Sequence, residues 1–384
     1  MKTGIPRNVV WLGFVSLFND MASEMIYPIV PIFLTAVLGA PMQVVGMIEG
    51  VAEATASLLK VFSGWFSDLI GKRKPLTVFG YSFSTFSKLL LALAYAWPMV
   101  LLARFVDRFG KGVRVAARDA LIADATAAEN RGAVFGFHRT MDTLGAIGGP
   151  LIALALLALL ANNYRLIFLI SFIPALIGVL ILQFFVTEAK QVKPIEKIKI
   201  AWNGFGAKYN LFLVISIIFS LGNSSDVFLI LRSRDLGMSA ALVVLAYIVY
   251  NIFYAGLSYP AGVLADRIGF KKVLFAGFFI FALVYAGFGL ASDPHIVWPL
   301  FAVYGFYIAF TEGVSKAYIA NLAPADKVGT AIGLYYTATG VAVLFASLVA
   351  GWLWAVFGAP ATFYYGMATS LLACVLFVVL SFRK

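Results

Sequence analysis

Five basic residues recur every three or four positions in one stretch: Arg104, Arg108, Lys111, Arg114 and Arg118. On a helix this spacing places them near one face, and the stretch lies within an otherwise apolar segment. Such a face can hold an anionic group, because a guanidinium grips a carboxylate or phosphate with two parallel hydrogen bonds. Asp107 can pair with Arg104, three residues back, or Lys111, four on. The alternative is structural ion pairing with acids on other segments, with Arg114 and Arg118 serving an inner rim.

The acids come in spaced pairs. Asp20 and Glu24 are four apart, as are Glu49 and Glu53. Like charges at that spacing repel on a helix, and a carboxylate crowded in poorly solvated surroundings can carry a proton. Asp142, Asp226 and Glu312 are further proton-coupling candidates; pairing with the arginines is the competing reading. Arg139 joins the basic set, and His138 is expected at the rim. Lys88 sits alone in its segment, free to snorkel or to pair with a carboxylate. Glu312 and Lys316, four apart, are expected to pair. Asn251, Tyr335 and Tyr336, with Tyr247, Tyr250 and Tyr254, offer an aromatic wall that suits an amphipathic organic ion.

What must position these residues is a membrane-spanning framework. The chain has 384 residues, 62% hydrophobic and 12% charged, where a soluble domain carries about 25% charge. So few charges cannot cover a water-soluble surface. A spanning helix needs about 20 mostly apolar residues. Twelve such segments fall at 8–38, 43–70, 75–96, 98–122, 131–160, 165–187, 209–232, 240–266, 272–291, 296–322, 329–357 and 360–382. The first carries Asp20 and Glu24 and is too long for a cleaved leader. Counting about 1.5 Å per residue puts Arg108, Asp20, Glu53 and Asp142 near mid-membrane. An ionisable group there costs at least about 2.5–3.5 kcal/mol, so it faces a cavity or a partner.

Lys and Arg crowd into alternate loops and both termini, including Lys72, Arg73, Lys74, Lys190, Lys193, Lys197, Lys199, Lys271 and Lys272. The positive-inside rule then places both termini in the cytoplasm, and the net charge of +11 needs no nucleic acid. Cys374 is the sole cysteine, which leaves no internal disulfide. No His/Cys cluster has metal-ligand spacing, and no phosphate-binding loop, zinc-protease motif or serine elbow occurs. The expectation is no cofactor, no metal and no enzyme chemistry.

The chain also repeats itself. Gly64, Asp68, Gly71, Arg73 and Lys74 recur as Gly262, Asp266, Gly269, Lys271 and Lys272; Ile122, Ala123 and Gly132 recur as Ile319, Ala320 and Gly329. Both sets share an offset of 197 to 198 residues, which implies duplication of a six-helix unit. The expected division is 1–187, a cytoplasmic linker 188–208, and 209–384.

The glycine–aspartate–glycine–basic loop, present twice, resembles the signature of the major facilitator superfamily. Arg104 with Gly110 and Gly112 resembles a second motif of that family. Gly145, Gly149 and Pro150 resemble its antiporter motif, although Ala153 and Leu154 stand where a further glycine pair belongs. Pro28 and Pro31 resemble a double-proline motif of twelve-helix drug/proton antiporters. The resemblance covers essentially the whole chain. It implies an all-α membrane protein of twelve helices in two pseudo-symmetric bundles, which works as a monomer and alternates access to a central site. It implies that Asp68 and its neighbours latch the cytoplasmic side.

Two functions follow as expectations: proton-coupled efflux of a small amphipathic compound, resting on the motifs and acid pairs, or transport of an organic anion (carboxylate, siderophore or phosphorylated compound), resting on the basic stripe. Lipid flipping is a third. The compact loops point to a bacterial inner membrane.

Overall fold

In the absence of water, backbone N–H and C=O groups must be satisfied within each segment, and the apolar segments are predominantly helical. The computed structural model describes residues 5–70, 72–126, 131–188, 205–324 and 327–381. The first segment forms α1 (Arg7–Ile26), a short α2 (Val30–Ile32) and a π-helical turn, Phe33–Val37. Then come α3 (Met42–Ile70), α4 (Lys74–Ala92), α5 (Trp97–Asp124), α6 (Arg131–Leu159) and α7 (Tyr164–Phe185). The second half holds α8 (Ala207–Ser220), α9 (Val227–Asp235), α10 (Ala240–Ile268), α11 (Phe270–Leu290), α12 (Val297–Leu322), α13 (Val328–Phe357) and α14 (Ala359–Ser381).

Among the described residues, eight helical stretches are long and apolar enough to cross a membrane. The other four segments correspond to α3, α4, α5 and the α8–α9 pair. Their lower hydropathy has visible causes: Glu49 and Glu53 in α3, Ser, Thr and Lys88 in α4, the basic stripe in α5, and a break in the last. That break is a correction. The segment 209–232 reads as one helix, but α8 ends at Ser220 and α9 begins at Val227. Gly222, Asn223, Ser224 and Ser225 lie between; their weak helix propensity and side-chain bonds to neighbouring helices favour an unwound turn.

Helix ends follow local chemistry. Pro75 and Pro98 sit in the first turns of α4 and α5, where a missing N–H costs nothing. Asn163 and Ser239 cap α7 and α10 by accepting from Leu166 N and Leu242 N. Gly269, at φ +98°, closes α10.

By contact the chain divides into two compact units: Met1–Leu38 with Thr55–Ile198, and Gly39–Ala54 with Lys199–Lys384. In the first unit α1 packs on α6 and α7, and α4 on α5. In the second, α10 packs on α12, and α11 on α12 and α14. The first 13 residues of α3 (Met42–Ala54) thus cluster with the second unit, and their Gly46 and Gly50 lie against α13 at Ser347 and Leu344. Small residues at this spacing let membrane helices approach closely.

The repeat is visible in packing. A Cβ on Gly80 of α4 would lie 2.6 Å from Gly110 O and 2.7 Å from Arg114 Cβ of α5; one on Gly277 of α11 would lie 2.6 Å from Thr311 Cγ2 of α12. Gly277 and Thr311 each stand 197 residues after Gly80 and Arg114.

Candidate functional site

The close crossing of α4 and α5 organises the basic stripe. Arg104, Arg108 and Arg114 are all buried, and Lys88 is wholly so. Lys88 Nζ lies 3.0 Å from Asp107 Oδ1 and donates to Ser23 Oγ at 3.2 Å. Asp107 is thus ion-paired to Lys88 of the neighbouring helix, where Arg104 or Lys111 is the partner expected from helical spacing. The physical reason is the contact at Gly80 and Gly110, which brings α4 so near that the lysine stem reaches the carboxylate. Of the two roles expected for Lys88, snorkelling or pairing with a carboxylate, the structure shows the pairing.

The remaining stripe divides. Arg114 donates to Ser84 Oγ at 2.5 Å and stacks 4.4 Å from the Tyr81 ring centre, which ties it to the α4–α5 core. Arg118 is bonded to Asp119 at 2.8 Å and to Ser16 at 3.2 Å. Arg104 lies 5.8 Å from the centre of the Tyr27 ring, at the end of α1, within cation–π range. Arg104, Arg108, Arg114 and Lys88 all act electrostatically on Asp107.

The acids of α1 face α6. A Cβ on Gly145 would fall 2.5 Å from Leu17 O and 3.2 Å from Asp20 Cβ; on Gly149, 2.5 Å from Met21 O and 3.1 Å from Glu24 Cβ. The antiporter-like glycines are therefore the seat of the α1–α6 crossing, with Pro150 inside the same helix. Asp20 senses Asp142, Lys111, Arg114 and Arg118, so the structure brings Asp20 and Asp142 together. His138 is buried, with Nδ1 3.5 Å from Asp142 Oδ2. Arg139, next to it, is exposed. Asn19 is wholly buried, and neither side-chain atom has a hydrogen-bond partner among the described residues.

The second unit is acidic and rich in tyrosine. At the α8–α9 break, Asn223 donates to Tyr307 at 2.9 Å, Ser225 to Glu49 at 3.4 Å, and Tyr304 to Asp226 at 2.6 Å. Asp226 also feels Glu53, Glu49 and Glu312, so four candidate carboxylates share one neighbourhood. Glu312 accepts from Tyr254, while Lys316 sits 5.6 Å from the Tyr336 ring. Asn251 turns back on its own helix, donating to Tyr247 O at 3.0 Å. Tyr335 stacks on Phe212 at 5.9 Å. Tyr304 and Tyr307, which the sequence reading passes over, sit at the centre: Tyr304 meets Tyr250 at 5.4 Å and Tyr307 at 5.1 Å.

Of the loop motif, Gly71 and the side chains of Gly64 and Asp68 lie outside the described residues. Arg73 pairs with Asp124 at 2.6 Å. The Glu188 carboxylate accepts from Arg73 N at 3.1 Å and Lys74 N at 2.9 Å, where negative charge suits the start of α4. Lys72 is exposed. In the second copy Gly262 lies within α10, Asp266 is exposed, and Gly269 follows as the cap.

Two halves related by an internal repeat, built wholly of apolar helices, match known proteins along the full chain. The family model of the Major Facilitator Superfamily matches residues 12–232 and 211–384. This chain belongs to the major facilitator superfamily. An MFS-type transporter of Methanocaldococcus jannaschii is 38% identical, over 96% of this chain and 94% of that one. A cis,cis-muconate transport protein of Acinetobacter baylyi is 24% identical, over 80% and 78%. The crystal structure of a POT family transporter shares the fold, with TM-score 0.83 and 12% identity over 98% of this chain and 96% of that one. The protein is a multi-pass membrane transporter and not an enzyme.

Proposed function

We propose that this superfamily member carries a small organic anion across the membrane by alternating access, coupled to protons. The observation that carries the reading is the charge around Asp107: Lys88 holds its Oδ1 at 3.0 Å, and Arg104, Arg108 and Arg114 act on the same carboxylate. Four cations centred on one acid form a local positive field in a poorly solvated place. Buried charge of one sign is expensive, and a carboxylate substrate offsets it. Arg104, propped against Tyr27, and Arg108 are the anion ligands in this reading. The muconate transport relative, which handles a dicarboxylate by its name, supports the substrate class.

Proton coupling is assigned to Asp20 and Asp142 in the first unit, with Glu24 beside them, and to Glu49, Glu53, Asp226 and Glu312 in the second. The protein is taken to act as a monomer; the alternating basic loops support placing both termini in the cytoplasm. The arginine loop, through Arg73–Asp124, steadies the cytoplasmic ends.

A second reading, efflux of an amphipathic cation against protons, draws on the tyrosine-rich acidic cluster around Asp226 and Glu312. Substrate panels separate the two. In proteoliposomes, uptake of labelled cis,cis-muconate that is lost in Arg104→Ala/Arg108→Ala supports the anion reading. Transport of cationic amphiphiles that survives this double change supports the second.

A further inference from the structure

Lys88 lies on α4, outside every motif that the sequence displays, yet it is completely buried. Its ammonium donates to Asp107 and to Ser23, and Ser87 Oγ also reaches Asp107 Oδ1 at 3.5 Å. Asp107, Arg108 and Arg114 of α5 act on it electrostatically, and Arg104 joins them around Asp107. From α1 it meets the neutral hydroxyl of Ser23. Three of the four cations are arginines, which keep their protons in proteins. The lysine is the one cation in the group able to release its proton. At the positions 197 residues on, the second unit holds Tyr285 and Tyr304, which carry no positive charge, so this arrangement is peculiar to the first unit.

We propose that Lys88 is a proton-carrying residue that couples anion binding to proton uptake. The proposal rests on the anion reading above and deepens it by naming a coupling residue and a sign. An anion arriving at Arg104 and Arg108 adds negative charge to the cluster and favours the ammonium form of Lys88. In the empty site the nearby Arg108 and Arg114 guanidiniums favour release. The balance is one proton taken from water onto Nζ when the anion binds, and returned when it leaves. Linkage makes the effect reciprocal: protonation of Lys88 tightens anion binding by the same factor. Anion and proton then travel in the same direction.

The test uses purified full-length protein in detergent, weakly buffered, with a pH indicator and cis,cis-muconate as the probe. Wild-type protein is expected to take up about one proton per muconate bound, and to lose affinity about tenfold per pH unit once Lys88 is deprotonated in the empty site. Lys88→Met alone removes the 3.0 Å partner of Asp107, so the charge-balanced variant Lys88→Met/Asp107→Asn is the decisive one. It keeps three arginines in place of four cations and one acid. It is expected to bind muconate with about one proton fewer taken up than wild type, and with affinity that no longer falls about tenfold per pH unit. Lys88→Arg, charged but unable to release, is expected to behave likewise. A merely structural pair predicts that the double variant takes up protons as wild type does. That result overturns the proposal while leaving proton coupling through the other carboxylates standing. Wild-type protein that binds muconate with no proton uptake overturns both.

Discussion

Tyr304 of α12 donates a 2.6 Å hydrogen bond to Asp226, the last residue before α9, and so ties one side of the α8–α9 break to a neighbouring helix. A hydrogen bond to a buried charged group contributes about 1.5–3 kcal/mol. Tyr304→Phe is therefore expected to lower the melting temperature in detergent, and Asp226→Asn in the same chain to recover much of the loss. Equal melting of wild type and Tyr304→Phe would show the bond to be idle.

How much of this was legible beforehand depends on the kind of signal. Twelve apolar segments and a repeat of 197 residues are properties of the chain itself, and the helices follow them. Partners across helices are not. Asp107 had two plausible cations on its own helix, and only the approach of α4 at Gly80 gives it to Lys88. Glu312 likewise bonds Tyr254, although Lys316 stands one turn away. The break after Ser220 was legible in principle: Gly-Asn-Ser-Ser is poor helix material, masked by the strongly apolar residues on either side.

The α1–α6 crossing makes a sharper prediction. Gly145→Ala would press a methyl to 2.5 Å from Leu17 O, whereas at Gly148 the nearest atom is Met21 Cε at 3.5 Å. Gly145→Ala is expected to cost about 1–3 kcal/mol by overpacking and to reduce transport, with Gly148→Ala near wild type. Thermal melts and uptake assays on the pair check this; indistinguishable variants would contradict the packing role.

Asp20 and Asp142 are expected to act together. Asp20→Asn and Asp142→Asn should each abolish transport driven by a pH gradient while sparing substrate exchange at equal pH on both sides. Exchange that fails along with driven transport would place these carboxylates in substrate binding.

Arg104 is expected to be an anion ligand with its plane set by Tyr27. Arg104→Lys keeps the charge but loses the fork, so the KM for muconate should rise about tenfold or more, by the cost of losing a charged contact, with Tyr27→Leu giving a smaller rise. An unchanged KM in Arg104→Lys would remove Arg104 from the site.

The central claim, proton-coupled movement of an organic anion, is tested most directly in sealed proteoliposomes that trap a pH-sensitive dye. An inward gradient of cis,cis-muconate is imposed, and cationic amphiphiles are added to parallel samples. The account predicts that muconate acidifies the lumen, that Arg104→Ala/Arg108→Ala abolishes the signal, and that cations leave the dye unchanged. Proton flux triggered by cations alone, or muconate entry with a silent dye, would contradict it.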